Sequence, residues 1–130
     1  ENNIKLLKYQ KSLKPFFNIS DFALQYSSYP HNNLFNLGQF TVESMCNGVP
    51  ILHYIPEYLS NGYEEGINGY YVSYEKKRHI LFKKLRQIEK FNNKKIIRLK
   101  KNARKFAIKN YDIRKSFNNL EKKLIDLKYI

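Results

Sequence analysis

The sequence predicts an α/β chain: a parallel sheet with helices on both faces, followed by a helical tail. Three observations carry that prediction. Through residue 74, short apolar runs alternate with stretches of helical spacing, the order expected when strands of a parallel sheet are joined by helices. All five glycines lie between Gly38 and Gly69, so the demanding turns are concentrated in the middle of the chain. From Glu75 onward, apolar residues recur at helical spacing in three successive stripes. With 130 residues, 42% of them hydrophobic, the chain reads as one domain with enough apolar content for a core.

Taken in order, Ile4-Lys-Leu-Leu-Lys-Tyr9 reads as a strand, and Leu13 to Asn18 as a short helix with Pro15 tolerated in its first turn. Asp21 to Gln25 is the next strand. Ser28 to Asn36, with Pro30, His31, Asn32 and Asn33, is a polar loop at its carboxyl end, the edge where ligands bind in open α/β sheets. Gly38 then opens an amphipathic helix on which Val42, Met45 and Cys46 share a predicted buried face. Gly48 stands where a left-handed cap ends that helix, and Pro50 prevents its continuation. Pro50 to His53 is a buried strand. Pro56 to Asn61 is a helical turn broken by Gly62, and Gly66-Ile-Asn-Gly69 turns into a strand over Tyr70 to Ser73. The tail stripes are Ile80, Leu81, Leu85 and Ile88; then Ile96, Leu99, Ala103 and Phe106; then Ile113, Phe117, Leu120, Leu124 and Leu127, with Asp112 as cap of the last helix.

Charge is distributed unevenly. The net +13 arises from residues 75–130, where twenty Lys+Arg face five acids, while residues 1–74 hold four Lys against six acids. A basic tail can be an electrostatic footprint for nucleic acid or an anionic membrane. Here the lysines are dispersed around helical faces, and Lys, Asn, Ile, Tyr and Phe are all abundant, which favours compositional drift and argues against nucleic acid as partner. No apolar run reaches the length of a membrane span. The lone Cys46 has no internal disulfide partner, as expected of a reducing, cytoplasmic setting. Metal-ligand spacing among Cys46, His31, His53 and His79 is absent, so no metal is expected. The one methionine is Met45 and the chain opens on Glu1, which reads as part of a longer protein.

The run Glu43-Ser-Met-Cys-Asn-Gly-Val-Pro-Ile51 resembles the E-A-M-A-x-G-x-P-V signature of retaining glycosyltransferases of the GT-B fold, in the group 1, or family 4-like, branch. Three more stretches keep that family's order and spacing. Ser20-Asp21 through Ser27 is similar to its A-D-v-f-v-l-P-S strand, and Glu65-Gly-Ile-Asn-Gly-Tyr-Tyr-Val72 to D-G-x-N-G-x-L-V. Asn102-Ala-Arg104 followed by Tyr111-Asp-Ile113 is similar to N-A-R…F-S-W. The resemblance covers nearly the whole chain and implies a Rossmann-like, nucleotide-sugar-binding C-terminal domain, truncated, with its α/β part over 1–74 and its helical tail over 75–130.

The resemblance also implies roles. Glu43 would hold the two ribose hydroxyls of a nucleoside diphosphate sugar, a task suited to a carboxylate, which accepts two hydrogen bonds without needing a proton. Leu37, Gly38, Gln39 and Phe40 would form the loop whose backbone amides cradle the diphosphate, and Ser27 belongs to the same donor-binding set. Read without the family, Glu43 is a helix-start acid favoured by the dipole and Gly38 an ordinary helix-start glycine. The donor sugar would be transferred, with retention, to a glycan, lipid or protein acceptor bound by an N-terminal domain outside this sequence. The family association also implies peripheral contact at the inner face of a membrane, and no cofactor.

Departures from the family pattern are specific. Phe35 stands eight positions before Glu43, where relatives carry the first acid of an E-x7-E pair, and no residue from Pro30 to Gln39 is acidic. Glu57-Tyr58 replaces a Gly-Gly loop, and Asn61 an acid. No catalytic residue is assigned, and the fragment alone is expected to be inactive. A rival reading follows from the same departures: a non-catalytic copy of the fold that supports a partner. Tyr54, Tyr58, Tyr63, Tyr70 and Tyr71 are expected to pack rather than stack on a ligand, and His31 and His53 to be loop and strand-end residues.

Overall fold

The computed structural model of this chain describes residues 5–26, 38–55, 64–73 and 78–127. Its elements are α1 (Lys14–Ile19), β1 (Ala23–Tyr26), α2 (Gly38–Cys46), β2 (Ile51–Ile55), β3 (Gly69–Ser73), α3 (His79–Glu89), α4 (Asn93–Asn110) and α5 (Ile113–Asp126). The strands form a parallel sheet in the order β1-β2-β3, with Ala23 beside Ile51 and Ile51 beside Gly69. The predicted class is therefore present as a small three-stranded sheet with flanking helices and a helical C-terminal region.

Local chemistry accounts for the boundaries. Pro15 lies in the first turn of α1, where a missing N–H does no harm. Gly48 has φ +77°, its N–H donates to the Met45 carbonyl (2.9 Å), and the Val49 N–H donates to the Ser44 carbonyl (2.9 Å). That hydrogen-bond pair is a Schellman ending, and it turns the chain sharply from α2 into β2. Asn92 and Asp112 cap α4 and α5, accepting from the Lys95 and Arg114 backbone N–H groups at 2.9 and 3.0 Å.

Strand alternation splits the core into two layers. On one face Ala23 and Ile51 pack with Phe17 of α1 and Val49, with Phe40 of α2 against them. On the other, Leu52, Tyr54, Tyr70 and Val72 meet Leu81 of α3 and Leu99 of α4. Two of the tyrosines expected to pack do so: Tyr54 stacks on Tyr26 at 5.0 Å, and Tyr70 lies against Phe22 and Phe91. Helix α4 joins the layers beneath the amino-terminal edge of the sheet. Its Ala103 and Ala107 bury Met45, its Lys100 pairs with Asp21 at 2.8 Å, and its Arg104 donates to the Cys46 carbonyl at 3.0 Å. That last bond satisfies a carbonyl of the final α2 turn with a cation, the sign the helix dipole favours there.

Three expectations need correction. Residues 5–10 form no strand: Leu6 and Tyr9 are 94% and 92% exposed, because no strand among the described residues pairs with this segment. The buried face of α2 is Thr41, Ser44 and Met45; Val42 and Cys46 are only half-buried. Polar side chains take the inner positions because each has a partner there. The Ser44 hydroxyl donates to the Val49 carbonyl at 2.9 Å, and the Thr41 hydroxyl donates to Gln25. The third tail stripe is largely open to solvent, with Ile113, Phe117, Leu120 and Leu127 each more than half exposed and Leu124 half-buried, since α5 lies off the sheet layers. The Ser28–Asn36 loop and the Pro56–Asn61 turn fall outside the described residues. Among the described residues no helix is long and apolar enough to cross a membrane.

Candidate functional site

Helix α2 starts at the carboxyl-terminal half of β1, and a left-handed residue makes that start. Gly38 has φ +67°, and a Cβ at this position would lie 3.1 Å from the Gln25 side-chain nitrogen. Both the backbone angle and the close approach call for glycine. Gln39 and Glu43 follow on one face of the helix at i and i+4, where the Gln39 amide donates to the Glu43 carboxylate at 2.6 Å. Phe40 points inward instead, 5.8 Å from the Phe17 ring. Its side chain belongs to the core, so any ligand contact at this residue would have to be made by the backbone.

The half-buried Glu43 lines a cavity of about 380 Å³ together with Gln39, Asn47, Gln10, Lys11 and Lys14. No cation among the described residues forms an ion pair with it. The Glu43 carboxylate thus retains acceptor capacity beyond the Gln39 bond, in a cavity that Lys11 and Lys14 also line. An arrangement of one carboxylate acceptor and two cations is chemically matched to a hydroxyl pair next to a phosphate. A larger, more open depression of about 660 Å³ runs along α3 at Phe82, Lys83, Arg86 and Lys90. Its described lining comes from a single helix face and brings no second element to converge on a ligand, so the cavity at Glu43 is the better candidate.

Of the residues singled out in the sequence, Gln39 and Glu43 are brought together at the cavity, Gly38 shapes the helix start, and Phe40 is core. Ser27 and Leu37 lie outside the described residues, as do Phe35 and Asn61. Sequence reasoning missed Lys11, left as connection between the expected strand and helix, and Lys14, read only as part of the short Leu13–Asn18 helix. It also missed Gln25 and Thr41. A polar residue at the inward position after Ala23 in a short apolar strand was the available signal.

His53 sits inside β2 rather than at its end, 4% exposed, between Gln25 and Tyr71 in register. Burial lowers its pKa from 6.5 to about 4, so the ring is neutral at physiological pH. Burial, then the nearby Glu65 carboxylate, raise the Tyr70 phenol. Among the described residues, no three His, Cys, Asp or Glu side chains are grouped so as to hold a metal ion. No protein-family model matches this chain, and no curated protein matches it significantly.

Proposed function

We propose that this chain is the donor-binding part of a retaining GT-B glycosyltransferase, holding a nucleoside diphosphate sugar at the start of α2. One observation carries the reading: the Glu43 carboxylate, five residues past the left-handed Gly38, lines a cavity that Lys11 and Lys14 share. The four motif resemblances support it independently of that geometry. On this reading Glu43 accepts hydrogen bonds from the ribose diol while the first amides of α2 face the diphosphate. Departing charge is then stabilised by oriented N–H groups rather than by a side-chain acid. The complete enzyme works in the cytoplasm and passes the sugar to a glycan, lipid or protein acceptor at the membrane's inner face.

Calorimetric titration of the chain with UDP and GDP tests this. One of the two binds, and Glu43→Ala weakens it. A hydrogen bond to a charged group contributes about 1.5–3 kcal/mol, so the loss is about tenfold to a hundredfold in Kd. Equal affinity in Glu43→Ala refutes the assignment. The second reading, a non-catalytic module, is favoured by Phe35 and Asn61 standing where acids are expected. It predicts that the full-length protein neither hydrolyses nor transfers sugar from any donor in a UDP- and GDP-sugar panel.

A further inference from the structure

Gln25 occupies an unusual place. It follows Ala23 by two residues on the strand face that packs against α1 and α2, where Phe17, Val49 and Ile51 cluster and where the buried His53 is its register partner on β2. Its carbonyl oxygen accepts the hydroxyl of Thr41, which is fully buried on α2, and its nitrogen lies against Gly38. One amide therefore spans the first turn of α2, touching its opening residue and the residue one turn on. Apolar packing would hold a helix against a strand but would leave it free to roll, whereas a hydrogen bond between two side chains is directional and fixes the roll.

We propose that Gln25 is a positioning residue for the nucleotide site: through Thr41 it sets the rotation of α2 on the sheet, and so where the Glu43 carboxylate is presented. The inference rests on the donor-site reading above. Thr41 and Glu43 are two residues apart, about 200° around the helix, so the anchor grips one side while the carboxylate works on the other. A roll of about 20° about an axis whose side chains reach about 5.5 Å would carry that carboxylate about 2 Å. Displacements of that size are large against hydrogen-bond geometry.

The test compares UDP and GDP affinity by calorimetry with urea stability for Gln25→Leu, Thr41→Val, their double variant and Gln25→Glu. Gln25→Leu and Thr41→Val should each weaken the nucleotide that binds by about fivefold, with the double variant no weaker than either, because both remove the same bond. Gln25→Glu keeps an acceptor for Thr41 and should restore affinity to within about twofold of wild type. If Gln25→Leu does not fold, Thr41→Val carries the same comparison. Unchanged affinity with a lowered urea midpoint would make the contact structural only and overturn the inference. So would a Gln25→Glu variant weaker than Gln25→Leu, since that pattern marks direct contact between the amide and phosphate. A wild-type chain that binds neither nucleotide removes the donor-site reading, and this inference with it. A wild type that binds, beside a Gln25→Leu that binds equally, removes this inference alone.

Discussion

His53 makes the stability of this fold depend on pH on the acid side of neutrality. In the folded chain the imidazole lies in β2 at 4% exposure, with Gln25 and Tyr71 on the neighbouring strands, and burial holds its pKa at about 4 rather than 6.5. Between those values the unfolded chain binds a proton that the folded chain refuses. Stability is therefore complete above pH 6.5 and is lost as the pH falls toward 4. Integrating the two titrations gives a loss of about 2 kcal/mol between pH 7 and pH 5, approaching 3 kcal/mol at pH 4. The Asp112 carboxyl is shifted downward from 3.8, first through the Arg114 backbone N–H, so its contribution is lost only at lower pH. Urea unfolding followed by circular dichroism at pH 7, 6 and 5, at constant ionic strength, measures the effect. His53→Gln, which cannot titrate, should lose little over the same range, whatever its offset at pH 7. A wild-type loss smaller than about 0.5 kcal/mol, near the uncertainty of the extrapolation, would refute the argument. An equal loss in His53→Gln would do the same.

The remaining predictions concern the scaffold. Leu99→Ala, at a fully buried position among Leu52, Tyr70 and Leu81, should cost about 2–5 kcal/mol in urea unfolding, the range for a leucine cavity. Phe117→Ser, at 65% exposure on α5, should stay within about 0.5 kcal/mol in the same assay, although both residues lie on equally regular helical stripes. Gly48→Ala should cost about 1 kcal/mol. Its new Cβ would meet nothing closer than the Lys100 carbonyl at 3.6 Å, so only the φ of +77° resists it, partly offset by a less flexible unfolded chain.

Much of the fold was legible because its signals are local. Gly48 and Pro50 announce the end of α2 through backbone sterics that need no distant partner, and the Schellman bonds form where they were expected. Asp112 caps α5 for the same reason, and Pro15 marks the first turn of α1. The candidate site was legible in part. Gly38, Gln39 and Glu43 stand close in sequence, and helical spacing alone brings the last two onto one face.

What the chain by itself determined, then, is the succession of strands and helices from α1 onward among the described residues, their caps, and the amphipathic character of each tail helix. Caps, turns and periodicity depend on neighbours within a few residues, which the sequence contains explicitly. Tertiary structure decided which of those surfaces are covered: it seated Leu99 in the core and left Phe117 in solvent, although periodicity treats them alike. It turned Thr41 and Ser44 inward by providing Gln25 and the Val49 carbonyl as partners, and it brought Lys11 and Lys14 to the cavity of Glu43. Burial and long-range hydrogen bonding are properties of two surfaces meeting, and only the folded chain specifies the second surface.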